Sequence, residues 1–128
     1  MKSYTDLEQS KKLAEILPIE SADMRYYTIS QYNLYPCDEI VYTIYFGKPS
    51  GKDIPCWSLA ALLDILESEI DGEEGETYQL NIEKDGTWWN VWYKERYDEA
   101  NPIETASTEE LVDACYEMII KLHEQNLL

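Results

Sequence analysis

Residues 77–93 read TYQLNIEKDGTWWNVWY, and this stretch decides the fold. Two runs rich in aromatic and branched apolar residues flank the pair Asp85-Gly86, which is favoured in the two-residue turns of β-hairpins. A two-residue turn fixes which residues face each other, so we place Lys84 opposite Thr87 and count the pairs outward. The stretch therefore predicts an antiparallel hairpin.

The two faces of this predicted hairpin differ in polarity. One face is apolar throughout and should face the core; its residues are Tyr78, Leu80, Ile82, Trp89, Val91 and Tyr93. The other face mixes two indoles with amides and a carboxylate; its residues are Gln79, Asn81, Glu83, Trp88, Asn90 and Trp92. Because tryptophan joins an apolar ring to a polar N–H, it suits a surface that meets a partner. We take this second face as a candidate recognition surface for a protein, or for a sugar stacked on indole. The alternative is that a helix covers it.

Helices are predicted before the hairpin. Residues 5–8 (TDLE) have the form of a capping box, and the apolar spacing after them predicts a helix at about 5–16, which Pro18 stops. Pro55 marks the entrance of a middle helix, whose leucines recur at helical spacing as far as Ile70.

The remaining elements complete the order of the chain. A second capping box, residues 107–110 (STEE), precedes the apolar stripe of a last helix. Residues 24–30 and 40–46 are rich in tyrosine and β-branched residues and predict two strands, with residues 32–38 as the loop between them. The order α-β-β-α-β-β-α predicts one α+β domain over residues 1–128, with three helices and a mainly antiparallel sheet of about four strands.

Charge excludes several classes of function. The 128 residues include 26 acids and 10 Lys or Arg, for a net charge of −16, while 45% apolar residues suffice for a core. Such a chain repels phosphate backbones, so we expect no direct binding of nucleic acid and no docking to anionic membranes. Without a long apolar run or a visible signal peptide, we expect a cytoplasmic protein.

The acids also suggest how the chain could bind. Residues 64–76 hold seven acids and no base, and we predict an acidic loop there with Glu73, Glu74 and Glu76 as a second candidate binding element. The preferred function is a non-catalytic acidic module that binds an unidentified protein. The alternative is a mimic of nucleic acid that inhibits a DNA-binding protein by occupying its basic groove.

Residues suited to catalysis are few. The three cysteines, Cys37, Cys56 and Cys115, form no CxxC pair or disulfide framework, so we expect free thiols. The single histidine, His123, lies eight residues after Cys115, and about 12 Å of helical rise is too far for a Cys/His dyad. The acidic loop lacks the alternating ligands of an EF-hand. We therefore expect no catalytic residue, metal or cofactor; a small hydrolase that uses surface carboxylates is the remaining enzymatic alternative.

Three segments carry a resemblance. Residues 13–24 (LAEILPIESADM), 54–63 (IPCWSLAALL) and 113–123 (DACYEMIIKLH) resemble segments of small acidic proteins of gut bacteria and their prophages. These segments belong to core helices, and the group has no functional signature. The resemblance implies an intracellular, mobile-element setting and transfers no activity and no site residue.

Overall fold

The described strands of this protein form two antiparallel sheets. A computed structural model describes residues 1–29, 41–49, 51, 53–95 and 103–128. The elements in these ranges are α1 (Leu7–Ala14), a 3-10 turn (Ile19–Ser21), β1 (Met24–Ile29), β2 (Val41–Phe46), β3 (Ile54–Cys56), α2 (Leu59–Ile65), β4 (Glu69–Asp71), β5 (Thr77–Asp85), β6 (Trp88–Glu95), β7 (Ala106–Thr108) and α3 (Leu111–Glu124). The sheet orders are β2-β1-β3 and β4-β5-β6-β7. The α+β class and the three helices are confirmed, but the described strands number seven and are divided between two sheets.

Helix α3 supplies the largest share of the core. It packs against β6, β7 and α2. Seven of its residues are buried, namely Leu111, Val112, Ala114, Cys115, Met118, Ile119 and Leu122. They meet the inner face of the four-stranded sheet, where Tyr78, Val91 and Tyr93 are buried. The hairpin face that we predicted to be apolar therefore faces the core at Tyr78, Val91 and Tyr93, whereas Ile82, nearer the hairpin tip, is 38% exposed.

The N-terminal segment, residues 1–6, forms hydrogen bonds with Trp57, which follows β3, and with helix α3. The backbone N–H of Thr5 donates to the carbonyl of Trp57 at 2.9 Å, and the N–H of Trp57 donates to the Thr5 hydroxyl at 3.2 Å. Three residues before Thr5, the Lys2 ammonium donates to the Asp113 carboxylate in the first turn of α3 at 2.7 Å. Because these bonds span more than 50 and more than 100 residues of sequence, the segment fastens β3 and α3 to one another.

Helix α1 begins one residue later than its predicted capping box. Its N-cap is Asp6, whose carboxylate accepts from the N–H of Gln9 at 2.8 Å, and the Gln9 side chain accepts from the N–H of Asp6 at 3.0 Å. Thr5 cannot serve as the cap because it is buried and its hydroxyl is bonded to Ser10 and Trp57.

Helix α2 is shorter at both ends than its apolar spacing predicted. Pro55 lies in β3 instead of a helix entrance; β3 is at a sheet edge, where the N–H that proline lacks is not needed for pairing. The N-cap is Ser58, whose hydroxyl accepts from the N–H of Ala61 at 3.2 Å. Ile70, predicted as the end of the helix, lies in β4.

Two further predictions need correction. Residues 107 and 108 pair with β6 as part of β7, so α3 begins at Leu111 with Glu110 as its N-cap and no side-chain cap. Residues 64–76 do not form one loop, because they include the end of α2, strand β4 and a turn. The predicted loop at 32–38, with Cys37, lies outside the described residues.

The hairpin has a different turn from the one that we predicted. Asp85 pairs with Trp88, which leaves Gly86 and Thr87 as the two turn residues. Gly86 has a φ of +62°, whereas Thr87 does not have a positive φ, as in a type II′ turn. The predicted Asp-Gly turn would require a positive φ at Asp85 as well. The observed turn requires one only at Gly86, and glycine adopts a positive φ without steric cost. Every pair is shifted by two residues, so each side chain keeps its predicted face.

Candidate functional site

The outer face of the β5–β6 hairpin carries the residues that we predicted for recognition. Side chains alternate along each strand, so the register places four from each strand on this face. We call these eight residues the tryptophan face: Gln79, Asn81, Glu83 and Asp85 on β5, with Trp88, Asn90, Trp92 and Lys94 on β6. None of the eight is buried, and α3 packs on the opposite side of the sheet. Within the described part of the chain, no helix covers this face as the alternative interpretation would require.

The two indoles are the apolar part of this face. Trp88 is 49% exposed, and Trp92 is partly buried. They are four positions apart on β6, a distance of about 13 Å along the strand, with Asn90 midway. Neither indole N–H has a hydrogen-bond acceptor among the described residues, so both are available to a partner.

Carboxylates lie beside the indoles. Asp85 is directly opposite Trp88, and Glu83 is opposite Asn90, which makes it a diagonal neighbour of both indoles. Asp85 was assigned to the turn in the sequence, and only the register of the hairpin could have placed it on this face. Both carboxylates are exposed, and neither has an ion pair or a side-chain hydrogen bond within the ranges that the structure describes.

Each amide of the tryptophan face makes one hydrogen bond within the described part of the chain. Ser107 of β7 donates its hydroxyl to the Asn90 side chain, and the Asn81 amide donates to the carbonyl of Gln79 at 3.0 Å. The Gln79 amide reaches Glu69 of β4 at 3.4 Å. These bonds hold the amides in place. Asn90 lies between the indoles, and because its bond uses the side-chain oxygen, its amide nitrogen has no acceptor among the described residues and can donate to a partner.

The second candidate element lies at the other end of the hairpin. Glu73 and Glu74 are exposed in the turn between β4 and β5, about 27 Å along β5 from the Trp88 end. Glu76 accepts from the Tyr78 hydroxyl at 2.9 Å. Desolvation and this bond raise the pKa of Tyr78 to about 12. The structure therefore separates the acidic turn from the tryptophan face; an open depression of about 500 Å³ lies beside the turn.

The described thiols and the histidine lie apart. Cys115 and His123 occupy the same helix, eight residues from each other, with Cys115 buried and His123 exposed. Desolvation raises the pKa of Cys115 to about 12. Desolvation also raises the pKa of Cys56, whose thiol lies 3.6 Å from the Thr5 hydroxyl. Both thiols therefore stay protonated at neutral pH.

We expect these thiols to react slowly in the native protein. In a Cys37→Ser background, an aromatic disulfide reagent at about pH 8 should label Cys56 and Cys115 more than about 100-fold faster after unfolding than before it, because the reactive thiolate is disfavoured by burial. A thiol with a raised folded pKa stabilises the fold below its unfolded pKa, so stability should fall as the pH rises from about 9. Equal labelling rates in native and unfolded protein would contradict this account.

No group of three or more His, Cys, Asp or Glu residues among the described residues is arranged to hold a metal ion. None of the described helices has the length and apolar character needed to cross a membrane.

Comparison with known proteins adds no further assignment. The chain matches no protein-family model, no curated protein and no solved structure. The candidate function therefore depends on the residues of the tryptophan face and their surroundings.

Proposed function

We propose that this chain is a non-catalytic acidic module that binds another protein through the tryptophan face. The observation that carries the proposal is the exposure of Trp88 on a regular sheet whose opposite face is packed by α3. Exposed tryptophan is costly to leave in water, and it is among the residues that contribute most to protein interfaces.

The rest of the face has the character of an interface rim. Asn81, Asn90 and Gln79 surround the indoles with polar groups that internal hydrogen bonds hold in place. Binding then costs less side-chain entropy than it would with free amides, because these side chains are already ordered. A sheet face that combines two partly or half-exposed indoles with polar neighbours suits a protein surface.

A test of the proposal compares captured partners between variants. Trp88→Ala/Trp92→Ala should capture at least about tenfold less of any stoichiometric partner that the wild-type chain captures from cells. Truncation of a tryptophan that anchors an interface typically costs about 2 kcal/mol or more, which is about 30-fold in affinity. Phe46→Ala is the matched control, because Phe46 is an exposed aromatic residue on β2, away from this face. Trp88→Phe/Trp92→Phe keeps apolar rings on the sheet if the alanine variant is unstable. Capture of the same partners in the same amounts by all variants would refute the proposal.

A mimic of nucleic acid is the second candidate. The observation that favours it is the charge on the outer side of the four-stranded sheet, where Glu69, Asp71, Glu83 and Asp85 face outward with Lys94. Binding by charge alone weakens steeply as salt increases, whereas an aromatic interface is less sensitive. The salt dependence of partner binding therefore separates the two candidates.

A further inference from the structure

We infer that the tryptophan face recognises arginine side chains on its partner. This inference rests on the proposed function and specifies the chemistry of the partner. Two kinds of group lie together on this face, namely indole rings and carboxylates that have no side-chain partner among the described residues. Arginine is the side chain that satisfies both, because its planar guanidinium stacks on aromatic rings and forms paired hydrogen bonds with a carboxylate.

The register gives the pairing. Asp85 is directly opposite Trp88, a position with about 5 Å between the β-carbons. A guanidinium stacked on the Trp88 ring would therefore lie within reach of the Asp85 carboxylate. Glu83, opposite Asn90, is diagonal to both indoles and is placed to pair with a cation on either ring.

Charge complementarity favours a cationic partner. Four carboxylates and one ammonium group point outward from the described strands of this sheet. The chain as a whole has a net charge of −16, so an acidic partner would be repelled at long range and a basic one attracted.

The inner side of the same hairpin shows a related contact within the chain. The Lys84 ammonium lies 5.4 Å from the centre of the Trp89 ring, directly across the strand pair. On the outer side, Trp88 and Trp92 have no such cation over their rings among the described residues. The hairpin therefore has the spacing to hold a cation over an indole, and on the tryptophan face that position is open to an arginine from outside.

The test uses two synthetic peptides of equal charge, (Arg-Gly)5 and (Lys-Gly)5. Titration into the intact protein, followed by tryptophan fluorescence and calorimetry, should show that the arginine peptide binds at least about fivefold more tightly than the lysine peptide. Trp88→Ala/Trp92→Ala should remove this preference, and Trp88→Phe/Trp92→Phe should reduce it, because phenylalanine attracts cations less strongly than tryptophan.

The position of the charge is tested separately. Glu83→Gln/Asp85→Asn should weaken binding of the arginine peptide more than Glu73→Gln/Glu74→Gln, which removes the same charge at the distant turn. Equal weakening by the two pairs, equal affinity for the two peptides, or no binding of either peptide would each overturn the inference. If the peptides fail while partner capture still depends on Trp88 and Trp92, the proposed function stands and only the arginine assignment falls.

Discussion

Replacement of Trp57 with alanine is expected to destabilise the protein by about 3–5 kcal/mol, the usual cost of deleting a large buried aromatic side chain. Trp57 is fully buried, and its indole N–H donates to the Ser21 hydroxyl at 2.9 Å. Its backbone exchanges two hydrogen bonds with Thr5. The substitution therefore leaves a cavity where the N-terminal segment, β3 and α2 meet, and it removes the bond to Ser21, whose hydroxyl keeps only its own bond to the carbonyl of Pro18.

Chemical denaturation with a secondary-structure signal measures this loss. Trp88→Ala is the matched control, because Trp88 is half exposed and its side chain has no hydrogen bond in the described ranges; it should cost less than about 1 kcal/mol. The loss of unfolding free energy in Trp57→Phe should fall between those of Trp57→Ala and Trp88→Ala. A cost for Trp57→Ala no larger than that for Trp88→Ala would contradict the central position that we assign to this residue.

Tyr93 should show a comparable loss in the other half of the molecule. It is fully buried on β6, and its hydroxyl donates to the carbonyl of Glu67 at 2.6 Å, in the link between α2 and β4. Tyr93→Ala removes both the packed ring and this bond, with an expected cost of about 3–5 kcal/mol. Tyr93→Phe keeps the ring, so it should cost only about 1 kcal/mol.

The pair of substitutions separates packing from hydrogen bonding at one position. Desolvation raises the pKa of Tyr93 above its usual range, so the hydroxyl remains a donor across neutral pH. The difference between Tyr93→Phe and wild type should therefore be the same at about pH 6 and about pH 8. A Tyr93→Phe cost as large as that of Tyr93→Ala would show that the bond to Glu67, and not the ring, holds this corner.

The faces of the hairpin could be predicted from sequence, whereas its register could not. Alternation alone places Tyr93 inside and Trp92 outside, because side chains on a strand alternate by necessity. The turn depends on backbone angles, and two overlapping two-residue turns were both compatible with Asp85-Gly86-Thr87. The Gly86-Thr87 turn needs a positive φ at the glycine alone, whereas the Asp85-Gly86 turn needs one at both residues.

Helix caps were displaced for a different reason. Thr5 and Ser107 both have side chains suited to capping, but Thr5 is buried against Trp57 and Ser107 pairs across the sheet with Asn90. These are contacts between residues far apart in sequence, and local patterns contain no information about them. Asp85 was missed for another reason: it is only three residues from Trp88, and the Gly86-Thr87 turn, which the sequence did not determine, places the two opposite each other.

The two-residue turn at Gly86 and Thr87 also determines where this gene can change in length. The turn residues are exposed, and nothing lies within 4 Å of a methyl group built on Gly86. Residues inserted there would extend the hairpin tip and leave every pair below it in place, as in other exposed tips that accept foreign peptides. A one-residue insertion or deletion between Trp88 and Trp92 would reverse the face of one indole relative to the other. Reporter peptides should therefore be inserted at the tip, and the segment between the two tryptophans should keep its length.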